Sequence, residues 1–250
     1  MLLPMLSLFD TLRQNVYNIM QQLGQDLYDN IIANSRYLLY LEGFRNTIIM
    51  ALGGVVLGTI IGIIIAVIKV YAIDTKGLGL PNVLADIYIT VIRGTPILIQ
   101  IMITYYVIFA SAPMEMAMPV AVLAFGINSG AYVAEIIRAG ILSVDKGQME
   151  AGRSLGLSKN TAMRYIVMPQ AVKNILPALF NEFIVLVKET SVAGFIAIRE
   201  LSMVATLVKS RTFNAYVPLL FVAAIYLAVV VGLTALQKRL ERRMSAGDRR

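Results

Sequence analysis

Residues 47–68 read TIIMALGGVVLGTIIGIIIAVI, inside a run of 23 uncharged positions (46–68) between Arg45 and Lys69. A helix needs about 20 mainly apolar residues to cross the hydrocarbon core of a bilayer, each residue advancing it by about 1.5 Å. This stretch therefore decides the solvent in which the chain folds. Working outward, uncharged runs recur at 94–114, 116–134 and 212–237, with 21, 19 and 26 residues. A further stretch, IVMPQAVKNILPALFNEFIVLVKETS (166–191), is interrupted by Lys173, Glu182, Lys188 and Glu189. Charges inside a span are tolerated where they face a water-filled cavity, so it is read as the fourth of five spans. Pro177 within it predicts a kink unless neighbours satisfy the freed carbonyl. The fold class expected is all-α: a polytopic membrane protein with five transmembrane helices.

Composition agrees. Hydrophobic residues make up 58% of the 250 and charged residues only 15%, against about 25% charged in a typical soluble domain. The net charge of +7 comes from basic residues placed between and after the apolar runs, which argues against a nucleic-acid surface. Cys and His are both absent. Disulfides, thiolate chemistry, the common transition-metal ligands and the usual proton shuttle near neutral pH are excluded with them.

The same basic residues orient the chain. Segments 69–93, 138–173 and 238–250 hold 15 of the 22 Lys and Arg, and the alternate segments hold 7. Positive charge favours the cytoplasmic side, so the N-terminus is expected outside and the C-terminus inside. MLLPMLSLFDTLRQNVYNIM (1–20) lacks a basic n-region and a small-residue cleavage site, and is not read as a signal peptide. Leu8, Leu12, Val16, Ile19 and Leu23 recur at helical spacing, predicting an amphipathic helix at the outer interface. Three regions follow: an N-terminal extension (1–35), a transmembrane domain (36–236) and a basic cytoplasmic tail (237–250).

Between spans three and four the chain turns polar: MEAGRSLGLSKNTAMRYIVMP, 149–169. The orientation places it in the cytoplasm. Asp145 suits an N-cap, with Gln148 three residues on. A short helix from about Gln148 to Leu155 is expected to end at Gly156, and Ser158 to cap the helix that re-enters the membrane. Gly152 and Gly156, four apart, are expected to leave a strip without side chains where another backbone approaches. On physical grounds alone a solvated loop is an equal alternative.

Glu150-Ala151-Gly152, Gly156, Ile166 and Met168-Pro169 stand at the spacings of the EAA motif, and the loop resembles that of permease subunits of ABC importers. It departs from the motif at Gly152, for a second Ala, and at Met168, for Leu. VIRGTPILIQ (91–100), GAYVAEIIRAGI (130–141) and VKETSVAGFI (187–196) resemble the permeases for polar amino acids in particular, and the likeness covers about 40–236. The resemblance implies that the short helix, within about 145–169, is a coupling helix docking on a separate ATP-hydrolysing subunit. Glu150, Ala151, Gly152 and Gly156 would form the contact, with Arg153 and Lys159 at its rim. It also implies a bacterial plasma (inner) membrane location, a second permease copy or related permease, and an extracytoplasmic binding protein. No G-x-x-x-x-G-K-[S/T] run exists in this chain, so ATP and Mg are expected in the partner, with no cofactor bound here and no enzymatic activity of its own.

Candidates for the substrate path come from polar residues inside spans. Glu182 and Glu189, seven apart, return to nearly the same helix face, with Lys188 beside them. Carboxylates would meet the α-ammonium of an amino acid and Lys188 its α-carboxylate, with Thr190, Ser191, Asn128 and Ser129 adding hydrogen bonds. The alternative is that the three charges pair among themselves or sit among lipid headgroups, with no role in recognition. Glu135 and Arg138, three apart, read as a local ion pair. A stand-alone secondary transporter or channel is the competing function, disfavoured by the absence of an internal repeat. An intramembrane enzyme is disfavoured by the missing His, Cys and paired aspartates.

Overall fold

The opening run lies within α2 (Arg36–Ala72), a helix of 37 residues. The computed structural model describes residues 3–72 and 79–246, with side chains placed for 12–72 and 79–244. Leu8, Lys76 and the last six residues of the basic tail fall outside the described side chains. All regular elements among the described residues are helical.

Glycines fix how α2 packs. Gly54, Gly58 and Gly62 lie four apart and face α5 (Ala117–Leu142). A Cβ on them would stand 2.9 Å from that of Phe125, 2.7 Å from that of Ser129 and 2.5 Å from Val133 Cγ1. Gly126 of α5 returns the arrangement, its missing Cβ 2.5 Å from Leu57 Cδ2. In lipid, where water does not drive apolar faces together, this close fit is what holds two helices side by side. The other face of α2 (Leu52, Val56, Ile60, Ile63, Ile64 and Val67) is exposed, as lipid requires.

The uncharged run 94–114 is not the single straight span expected from its length. Helix α3 (Gly79–Gly94) ends where it begins, and α4 (Ile97–Ile103), prolonged by a wide turn through Ile108, leaves at 108°. Pro96, with φ −66° and ψ 136°, has no N–H to continue α3 and sets the residue before it outside the helical region. The segment ahead of the break, read as an inside connection between spans one and two, is helical from Gly79, and its charges are paired: Lys69 Nζ lies 2.5 Å from Asp86, and Arg93 4.0 Å from Glu135. Glu135 also holds Arg138 at 2.8 Å, the local pair expected.

After α5 come two short helices, α6 (Lys146–Ser154) and α7 (Lys159–Ala162), and then α8 (Met168–Glu189). A 3₁₀ stretch, Thr190–Ile196, separates α8 from α9 (Leu201–Thr212), which is bent 50° from it. Glu200, fully buried, caps α9, accepting from Ser202 N at 2.7 Å, Met203 N at 2.6 Å and the Tyr226 hydroxyl at 3.2 Å. The last helix, α10 (Tyr216–Ala246), is fastened to α8 by Gln237 Nε2 donating to the Pro177 carbonyl at 3.2 Å. Among the described residues three helices are long and apolar enough to cross a membrane, and up to five spans result when each bent pair counts as one. The N-terminal α1 (Leu3–Leu27) carries Leu12, Val16, Ile19 and Leu23 exposed along one stripe, and joins α2 through Asn34 and Ser35 at positive φ (53° and 55°). The protein is thus an all-α polytopic membrane protein.

Candidate translocation path and coupling loop

Helix α8 sorts its polar residues by face. Glu182 points inward and is 8% exposed; Glu189, seven residues on, is half-buried. Asn181 and Lys188 occupy an exposed face next to them. Among the described residues no ion pair within 4.0 Å involves Glu182, Lys188 or Glu189, so the three charges do not pair among themselves; a place for Lys188 and Glu189 among headgroups stays open. What holds Glu182 is Ser129 on α5, whose Oγ donates to Oε1 at 2.8 Å between buried groups. Such a bond to a charged acceptor stabilises by about 1.5–3 kcal/mol and leaves the second carboxylate oxygen with spare acceptor capacity.

Two other candidates behave differently. Thr190 is fully buried and its hydroxyl donates to the Val187 carbonyl at 2.8 Å, closing the end of α8. Asn128 is turned toward α4, where Nδ2 donates to Gln100 Oε1 at 2.9 Å. Ser191 remains half-exposed beside Gly194 and Phe195, on a cavity of about 250 Å³ that Glu200 also lines. Gln100 and Glu200 were not picked out from the sequence. Gln100 carried a signal, being a polar residue four after a proline within an apolar run. Glu200 carried one as the residue before an apolar helix with no other capping side chain.

The polar loop forms the short helix expected. Asp145 Oδ1 accepts from Gly147 N at 2.6 Å, Gly156 takes φ +85°, and Ser158 Oγ accepts from Thr161 N at 3.2 Å. The predicted capping box is not made: Gln148 Oε1 instead accepts from Gln170 Nε2 at 3.3 Å, tying α6 to the start of α8. The glycine strip is also not as expected. Gly152 is buried against this chain's own residues, where an added Cβ would stand 2.6 Å from Ile166 Cδ1 and 3.2 Å from Ala162 Cβ. Gly156 lies beyond the helix end, so the two glycines form no common face. The close approach that Gly152 permits is between α6 and the turn beneath it. Glu150, Ala151, Arg153 and Gly156 are exposed, Lys159 half-exposed, and Leu155 is 82% exposed at the helix end.

A lipid-facing helical body with a buried carboxylate between helices, and a short capped helix standing outside it, defines a membrane-embedded transport component. The chain belongs to the family of inner membrane components of binding-protein-dependent transport systems, whose pattern it matches over residues 58–246. It is 37% identical over 213 residues to a putative glutamine transport system permease protein of Rickettsia typhi, covering 84% of this chain and 94% of that one. An arginine transport system permease protein of Bacillus subtilis is 36% identical over 214 residues (83% and 93%). The crystal structure of an amino acid ABC transporter with histidines superposes with a TM-score of 0.77 at 40% identity, over 83% of this chain and 94% of that one. The methionine ABC transporter MetNI shares the fold, with a TM-score of 0.71 at 18% identity over 85% and 99%.

Proposed function

We propose that this chain is the permease subunit of an ATP-driven importer for polar amino acids. It contributes half of a translocation path, with a second copy or a related permease supplying the rest. The observation that carries this reading is the exposed α6: a helix of nine residues, capped at both ends and seated through Gly152, presenting Glu150, Ala151 and Arg153 outward. A helix so short is not stable alone in water, and its caps and its seat are what keep it formed while another surface pulls on it. That surface belongs to a separate ATPase subunit, which binds ATP with Mg. An extracytoplasmic binding protein delivers substrate, and the N-terminus lies outside with the basic C-terminal end of α10 in the cytoplasm. Glutamine and arginine permeases among the relatives support a polar amino acid as cargo.

Within the path, Glu182 and Glu189 attract the α-ammonium group and Lys188 the α-carboxylate. Binding of ATP to a closed ATPase pair favours one arrangement of the coupling helices, and this differential affinity biases the path between outward and inward openings. Affinity purification of the tagged chain tests the assembly. Co-elution of an ATP-hydrolysing subunit in stoichiometric amount is the expected result, and ATP-independent uptake by the purified chain alone overturns the reading.

A further inference from the structure

Four consecutive residues of α5 meet four other helices. The Ile127 carbonyl accepts from the Tyr88 hydroxyl of α3 at 2.6 Å, Asn128 donates to Gln100 of α4 at 2.9 Å, and Ser129 donates to Glu182 of α8 at 2.8 Å. At Gly130 a Cβ would stand 2.7 Å from the Tyr88 hydroxyl oxygen and 2.8 Å from Ile61 Cγ2 of α2. Successive residues of a helix point about 100° apart. The side-chain bonds of Asn128 and Ser129 are therefore satisfied together at one rotation of α5 about its axis.

Gln100 does more than meet Asn128. The two N–H groups of its Nε2 lie within reach of the Ile92 carbonyl at 2.7 Å, the Thr95 hydroxyl at 2.8 Å and the Thr95 carbonyl at 3.1 Å, one of them shared, closing the break between α3 and α4 from the inside. Tyr88 and Gln100 thus stand on the two arms of the 108° bend, and each is tied to a neighbouring residue of α5.

We propose that Gln100 is a positioning residue for the Glu182 carboxylate: it couples the angle of the α3–α4 elbow to the rotation of α5 and, through Asn128 and Ser129, to the orientation of Glu182. This rests on the reading of Glu182 as a group of the translocation path. Gln100 itself touches no substrate. When the elbow opens, Asn128 is drawn with it, Ser129 turns from Glu182, and the carboxylate changes its hold on the cargo between states.

The test is a mutant cycle on the complete transporter in proteoliposomes, with radiolabelled glutamine and arginine as probes. Asn128→Ala cuts the link to Gln100 while leaving the elbow bonds intact, and Ser129→Ala cuts the link to Glu182. Each is expected to raise KM about fivefold with little change in Vmax, the loss of about one hydrogen bond. The double variant is expected to be no worse than the worse single one, because both cut the same chain. Gln100→Met is expected to match Asn128→Ala in KM. Where Gln100→Met fails to co-elute with the ATPase, Asn128→Ala decides. Unchanged KM in Asn128→Ala, or losses that multiply in the double variant, overturn the proposal. Glu182→Gln, run alongside, separates the two levels: if it leaves KM unchanged, the reading of Glu182 falls and the positioning role with it. If it raises KM while the other two losses multiply, only the positioning role falls.

Discussion

Glu182 and Glu189 differ in what surrounds them, and their substitutions should differ accordingly. Glu182 is held by Ser129 at 2.8 Å and is nearly buried, whereas Glu189 is half-buried beside the exposed Lys188. Glu189→Gln is expected to reduce uptake several-fold while the subunits still co-purify, because the change removes charge and keeps shape. Unaltered kinetics would exclude Glu189 from the path. At Gly152 the expectation is opposite in sign. A single methyl meets the flexible tip of Ile166 and the Ala162 methyl at 2.6 Å and 3.2 Å, so Gly152→Ala should assemble and transport close to normally. Gly152→Leu should lift α6 off its seat and weaken ATPase co-purification. Equal behaviour of the two variants would contradict the seating role.

At the scale of elements, the seam between α2 and α5 and the caps of α6 carry the predictions. Gly58→Val places carbon 2.7 Å from Ser129 Cβ and 3.1 Å from the backbone nitrogen of Gly130. Overpacking of this kind costs about 1–3 kcal/mol, and here it also displaces the residue that holds Glu182. A lower thermal midpoint together with a raised KM is expected, and a change in stability alone would separate the seam from the site. Asp145→Ala removes the α6 cap, worth about 1 kcal/mol, and should lower coupling efficiency without lowering the thermal midpoint of the membrane body.

The elements also show what was legible in the sequence. Long uncharged runs specify membrane helices, caps at Asp145 and Gly156 specify α6, and the cap at Ser158 specifies the start of α7, because these are local effects of a few residues. The bend at Pro96 was hidden because hydropathy sums over a window and is blind to a missing N–H. The inward turn of Thr190 and Gly152, and the bond between Ser129 and Glu182, 53 residues apart in sequence, depend on which helices meet. Local pattern does not carry that information. The Gly54, Gly58, Gly62 spacing was present to be read and would have paired α2 with a partner helix.

In the whole molecule, the described residues supply three long apolar helices and two bent pairs, with the short α6 standing outside them. Ion pairs from Lys69 to Asp86 and from Arg93 to Glu135 join α2, α3 and α5 at the end where α5 leads into α6. Exposed pairs of this kind are individually weak. They link three helix ends close to where α6 begins.

ATP hydrolysis and amino-acid uptake, measured together in proteoliposomes containing the complete transporter, put the central claim to its most direct test when the native chain is compared with Glu150→Lys. Uptake by the native transporter should require ATP. The variant, with its charge reversed on the exposed face of α6, should either lose the ATPase subunit or hydrolyse ATP without driving uptake. Uptake per ATP hydrolysed that is the same in both, or uptake that proceeds without ATP, would contradict the account.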